Sequence, residues 1–197
     1  MGTSMVDLDL FPHTAARLTL ADAPALQRLC ERCGDYYLIE EGAPAAPDTA
    51  EHLLTALPPG KTHADKYVAG IHAPGGELVG VLDLIRDFPG EREWWIGFLL
   101  LDPAARAAGL GGRIVDEVAR AVAAAGGTVI QLGVLEHNPA GERFWRRHGF
   151  AELRRQPYTA RSGHPSRVIV MSRPPDLTCA AALRPMRTPE SDTTSGK

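Results

Sequence analysis

The stretch of this chain that most constrains its fold runs from Glu93 to Gly112. The run Glu93-Trp94-Trp95-Ile96-Gly97-Phe98-Leu99-Leu100-Leu101 is apolar on both faces towards its end, the pattern of a central, buried strand. Asp102-Pro103 interrupts it, and Gly109, Gly111 and Gly112 follow before Ile114, Val115, Val118 and Val122 recur at helical spacing. Strand, turn and helix in that order predict an α/β arrangement in which a helix N-terminus opens at the end of a core strand. The first backbone N–H groups of a helix have no internal partners and carry the positive end of its dipole, so they attract a phosphate. The three glycines let the main chain approach an anion closely, and Arg106 and Arg113 are placed to add charged contacts. On this reading a valine at Gly111 clashes with the ligand and leaves the fold largely intact.

Two nucleotide-binding alternatives fit this turn poorly. A P-loop needs Gly-Lys-Ser/Thr, whereas Gly111-Gly112 is followed by Arg113-Ile114; a dinucleotide fingerprint would need its third glycine at Ile114. The 197 residues suffice for one domain with a proper core, and the hydrophobic (44%) and charged (23%) fractions are those of a globular protein. A formal net charge of -3 provides no basic field for nucleic acid. The longest apolar interior run, around Phe98–Leu101, is far below a membrane span, and Met1–Val6 lacks an apolar signal core, so the cytoplasm is the expected compartment. Three cysteines cannot make a disulfide framework. Cys30 and Cys33 form a C-x-x-C at the end of an expected helix, where the negative dipole end disfavours a thiolate, and no second ligand pair accompanies them; they read as packing residues.

Along the chain, residues 1–16 read as a lead-in and Arg17-Leu18-Thr19-Leu20 as a short strand. A helix follows, capped by Asp22 with Pro24 in its first turn and stopped by Gly34. Residues 35–47 read as a loop, and Asp48 caps a second helix through Leu53, Leu54 and Leu57. Three strands are expected at 66–73, 77–87 and 93–101, the first two joined by the Pro74-Gly75-Gly76 turn. After the helix that ends at Gly126-Gly127 come a buried strand (128–134), a helix from Asn138-Pro139 to its Gly149 cap, and two final strands (150–156 and 167–172). The segment 174–197, rich in Pro, Ser and Thr, reads as a disordered tail, leaving residues 17–173 as the domain. The resulting class is a mixed α/β sheet with flanking helices.

Arg106-Ala107-Ala108-Gly109-Leu110-Gly111 resembles the Gln/Arg-x-x-Gly-x-Gly/Ala motif of the GNAT superfamily of N-acetyltransferases. The segment Asn138–Phe150 is similar to a second motif of that family, Asn-x-x-Ala-x-x-Phe-Tyr-x-x-x-Gly-Phe, and the likeness extends from Arg17 to about Ser172. It implies a splayed, mostly antiparallel sheet whose strands 93–101 and 128–134 diverge to admit the pantetheine arm of acetyl-CoA. Backbone groups of Phe98, Leu99 and Leu101 would bond that arm and polarise the thioester. The turn through Arg106, Ala107, Ala108, Gly109, Leu110, Gly111 and Gly112 would hold the pyrophosphate. Asn138 would contact pantetheine, cap its helix, or do both.

Trp145 stands where many members carry a tyrosine thought to protonate the departing thiolate, and an indole N–H is no proton donor near neutral pH. Tyr158 is an alternative acid. As general base the sequence offers Glu93, near the start of the strand before the turn, or Asp83, a lone charge among Val79, Val81, Leu82, Leu84 and Ile85; each also has a plain reading as a solvated position. The acceptor pocket would draw on Asp35, Tyr36, Tyr37 and Glu41 of the 33–47 segment, with Trp95 as an aromatic wall. The implied activity is acetyl transfer to a primary amine of a small molecule or peptide, with neither nucleic acid nor membrane as partner, no metal, and a homodimer as one assembly left open. A catalytically weak acyl-CoA-binding or regulatory module is the alternative.

Overall fold

A computed structural model describes residues 6–106 and 108–175; the expected disordered tail from 176 onward and the Ala107 position lie outside them. The described residues form one mixed sheet of seven strands in the order β1-β2-β3-β4-β5-β7-β6, with helices on both faces. The strands are β1 (Thr14–Arg17), β2 (Lys66–His72), β3 (Leu78–Arg86), β4 (Glu93–Leu101), β5 (Val129–Leu135), β6 (Ala151–Thr159) and β7 (Pro165–Arg173). The helices are α1 (Ala23–Arg32), α2 (Gly34–Glu40), α3 (Thr49–Thr55), α4 (Leu110–Ala124) and α5 (Pro139–Arg147). Every neighbouring pair is antiparallel except β4 with β5. No described helix is long and apolar enough to cross a membrane.

The sheet divides the core in two. On one face Ile114, Val115, Val118 and Val122 of α4 pack with Trp145 of α5 onto Leu82, Leu84, Ile96 and Leu132. On the other, α1, α2 and α3 bring Leu26, Leu29, Tyr37 and Leu54 against Val68, Val81 and Leu100. The 310 turn Leu20–Asp22 leads into α1, and Asp22 occupies the N-cap position; its carboxylate turns back to accept from the Thr19 N–H (2.8 Å) and hydroxyl (3.0 Å).

Two parts of the chain differ from the sequence expectation. The lead-in is not loose: Val6, Leu8 and Leu10 are buried in the α4-side core, and the first strand runs over Thr14–Arg17 instead of residues 17–20. Alternation of Val6, Leu8 and Leu10 with Asp7 and Asp9 was the available signal. Arg113 and Arg120 of α4 tie this segment down by donating to the carbonyls of Phe11 (2.5 Å) and Asp7 (3.0 Å). The segment after Gly34 is likewise a helix, α2, because Tyr37 can bury its ring beside Cys30 and Cys33. Both cysteines are free and fully buried, and desolvation pushes both thiols up, Cys33 to about 11, which suits packing residues.

The face of the sheet covered by α1 to α3 also buries an ion pair, Lys66 Nζ to Asp83 Oδ2 at 2.7 Å, with side chains 5% and 9% exposed. Removing one partner of such a pair strands the other charge in a dry interior. Lys66→Met should therefore cost about 3–5 kcal/mol of stability in denaturant titrations. The double variant Lys66→Met/Asp83→Leu should recover most of that loss. Wild-type stability in the single variant would show the pair to be solvated.

Candidate active site

The ladder between β4 and β5 runs only from Glu93–Val129 to Ile96–Leu132. Beyond it each strand follows its other neighbour: β4 stays with β3 to Leu101, and β5 stays with β7 to Leu135. Gly97 and Gly133 are exposed at the point of parting. A β-bulge accompanies the divergence, since Asp83 pairs with Phe98 and Leu84 with Ile96, leaving Gly97 as the extra residue. A Cβ on Gly97 would lie 2.7 Å from Asp83 Oδ2, so only glycine fits over the buried carboxylate.

A cleft of about 760 Å³ occupies this gap, a size usual for small-ligand sites of roughly 300–1,000 Å³. It runs from α2 across Phe98, Leu99 and Gly133 to the start of α4 and the inner side of α5. Gly109 caps α4 with φ of 79°, the left-handed region that favours glycine, and no side chain caps the amides that follow. Those N–H groups are free to take an anion, and no acidic residue lies in the first turn of α4. Asn138 caps α5 by accepting from the Gly141 N–H at 2.9 Å, and it also lines the cleft.

Of the other expected cofactor-binding residues, Phe98, Leu99, Leu101, Arg106, Gly109, Gly111, Gly112 and Trp145 line the cleft. Leu110 is buried beneath the turn, and Ala108 is exposed in it. The two arginines are already engaged. Arg106 forms a two-pronged ion pair with Asp35 at the start of α2 and donates from Nε to the Leu101 carbonyl at 2.9 Å. Its guanidinium holds the Asp35 carboxyl below the usual carboxylate range. Arg113 is bound to the Leu10 and Phe11 carbonyls. Arg147 and His148, which the sequence reading passed over, line the cleft from α5. Arg147 stands at the C-terminal end of that helix, where a cation is expected anyway.

The acid–base candidates fall elsewhere. Glu93 lies before the strands part, and its carboxylate accepts from Gln131 Nε2 at 2.7 Å, so it does not reach the cleft. Asp83 is buried under Gly97 and paired with Lys66; burial pushes its carboxyl up while Lys66 opposes the shift. Tyr158 donates to Glu40 Oε1 at 3.0 Å, and burial keeps its phenol protonated. Among the acceptor candidates, Asp35 and Tyr36 line the cleft. Tyr37 belongs to the core. Glu41 ties the β6–β7 turn by accepting from the Ser162 N–H at 2.8 Å. Trp95 packs edge-on against Phe88, with centroids 5.9 Å apart, outside the cleft. Among the described residues no group of three or more His, Cys, Asp or Glu side chains is arranged to hold a metal.

The glycines of the turn have a packing role that the sequence did not disclose. A Cβ at Gly111 would lie 3.2 Å from the Phe144 ring, and one at Gly112 would lie 2.9 Å from His148. Gly111→Val is thus expected to push α5 from α4 in the ligand-free protein, lowering its stability by about 1–3 kcal/mol in thermal unfolding. An unchanged melting temperature would restore the view that this glycine serves the ligand alone.

The acetyltransferase (GNAT) family matches residues 21–150 of the chain. No curated protein sequence matches it. Solved structures with the same architecture include an acetyltransferase from Thermus thermophilus, 24% identical, covering 85% of this chain and 99% of that one at a TM-score of 0.63. The ribosomal-protein-S18-alanine N-acetyltransferase from Escherichia coli is 17% identical, with 84% and 95% coverage and a TM-score of 0.62. A spermidine N-acetyltransferase from Vibrio cholerae, in complex with CoA and spermine, is 17% identical, with 82% and 95% coverage and a TM-score of 0.62. With a matching family profile over most of the domain and a sheet that parts beside an uncapped helix N-terminus, the chain belongs to the GNAT acetyltransferase family.

Proposed function

We propose that the protein transfers the acetyl group of acetyl-CoA to a primary amine of a small molecule or peptide. The observation that carries this reading is the cleft between β4 and β5, which joins the uncapped start of α4 on one face of the sheet to α2 on the other. The residues present fit the co-substrate. The amides after Gly109 match a pyrophosphate, and the gap at Gly97 and Gly133 is lined by exposed backbone suited to a thin, amide-bearing arm. When bound, acetyl-CoA supplies an activated thioester. The chain's own part is to hold that arm through the edge of β4, to orient it with Asn138, and to present the acceptor from α2. The structural relatives named for S18-alanine and spermidine acetylation support an amine acceptor by analogy.

A weaker acyl-CoA-binding module is the second reading. It is favoured by Trp145, which is packed against Phe144 and Phe150 where a tyrosine would supply a proton. Both readings share the ligand and differ in turnover. Acetyl-CoA at a hundredfold excess over its Kd should stabilise the protein by about 2.7 kcal/mol, and amines should elicit thiol release. Absence of a thermal shift at millimolar acetyl-CoA would defeat both readings. A shift without thiol release across polyamines, aminoglycosides, amino acids and peptides would select the binding module.

A further inference from the structure

We propose that Glu40 takes the proton of the acceptor ammonium, its carboxylate being set by Tyr158 and Tyr36; this rests on the N-acetyltransferase reading above. Asp35, Tyr36 and Ile39 of α2 line the cleft, and Glu40, outside that lining, follows Tyr36 by one helical turn and is hydrogen-bonded to its hydroxyl. The Tyr36 ring meets Phe98 edge-on at 5.3 Å between centroids. Phe98 belongs to the face of the sheet covered by α1 to α3, whereas Leu99 and Leu101 belong to the α4 face. Tyr36 therefore reaches the cleft from the face of the sheet opposite α4, with Glu40 one hydrogen bond behind it.

The other candidate carboxylates are unsuited to the task. Asp35 is held by Arg106, Asp83 by Lys66 and Glu93 by Gln131, and Asp116 lines the cleft from α4 on the far face. Among the described residues Glu40 instead meets neutral donors, the Tyr158 hydroxyl at 3.0 Å from β6 and the Tyr36 hydroxyl from its own helix. The remaining charge beside it is Glu41, whose carboxylate is turned to the Ser162 amide. A half-buried carboxylate with two hydroxyl donors and no cation attracts an ammonium and keeps its basicity. Burial and Glu41 push the Glu40 carboxyl up, and the two tyrosines pull it back.

In the step, Glu40 accepts one ammonium proton and frees the nitrogen lone pair. The C–N bond then forms as the C–S bond breaks; one proton stays on the amide nitrogen, one leaves with the sulfur as thiol, and Glu40 returns its own to water. Because the carboxylate is the competent form, the rate falls as pH drops through its raised pKa. Losing a hydrogen bond that favours the charged form moves that limb to higher pH.

The test is thiol release from acetyl-CoA with spermidine, phenethylamine and a lysine-containing peptide, alongside acetyl-CoA thermal shifts. Glu40→Gln should lower kcat/KM at pH 7 by about 100-fold or more, keep the acetyl-CoA shift, and regain rate as pH nears the pKa of the amine. Tyr158→Phe should move the acidic limb of the kcat/KM profile upward. Wild-type kcat/KM in Glu40→Gln, or an unmoved limb in Tyr158→Phe, overturns the assignment while acetyl transfer stands. Loss of the acetyl-CoA shift in Glu40→Gln also overturns it, since the residue would then be structural. A wild-type protein silent with all three amines overturns the transferase reading itself, and this role with it.

Discussion

The rest of the structure depends on the failure of β4 and β5 to pair beyond Ile96 and Leu132. Unpaired strand edges within a sheet are unfavourable unless something else takes up their backbone groups. Here each strand is held by its outer neighbour, β4 by β3 and β5 by β7, so the gap opens without unravelling either half. The bulge at Gly97 swings β4 aside, and the Asp83 carboxylate fills the space that a side chain there would claim. The buried Lys66–Asp83 pair is thus a fixture of the divergence as well as a charge pair.

The gap has two ends with different chemistry. On the α4 face it is bounded by a helix start without a side-chain cap, closely packed glycines and the inner side of α5, a setting suited to an anion. On the other face α2 brings Asp35 and Tyr36 to the same cleft. The Arg106–Asp35 pair ties the glycine-rich turn to the start of α2, so the two ends share a mechanical link. Arg106, which in sequence looks like a phosphate ligand, lines the cleft and also pairs with Asp35 at the start of α2.

The sequence disclosed the parts whose signal is local. The span of β4, the start of α4 at Leu110, the Asn138 cap and the Gly149 stop follow from apolar runs and turn chemistry. It did not disclose α2, which is short and forms because Tyr37 finds a buried place beside Cys30 and Cys33. Nor did it reveal the burial of Val6, Leu8 and Leu10, which needs α4 as a partner. Side-chain roles were least legible. Glu93 and Asp83 carry the right chemistry, but their partners Gln131 and Lys66 come from other strands. Glu40 acquires its setting from Tyr158, more than a hundred residues away along the chain.

On the proposed reading the gap between β4 and β5 receives the thioester arm while the start of α4 holds its phosphates. Amide hydrogen exchange with and without acetyl-CoA tests this directly, because it reads each strand edge separately. Acetyl-CoA should slow exchange within residues 97–101 of β4 and residues 109–112 at the head of α4, with little change in α3. Unchanged exchange in both segments, with protection arising elsewhere, would contradict it.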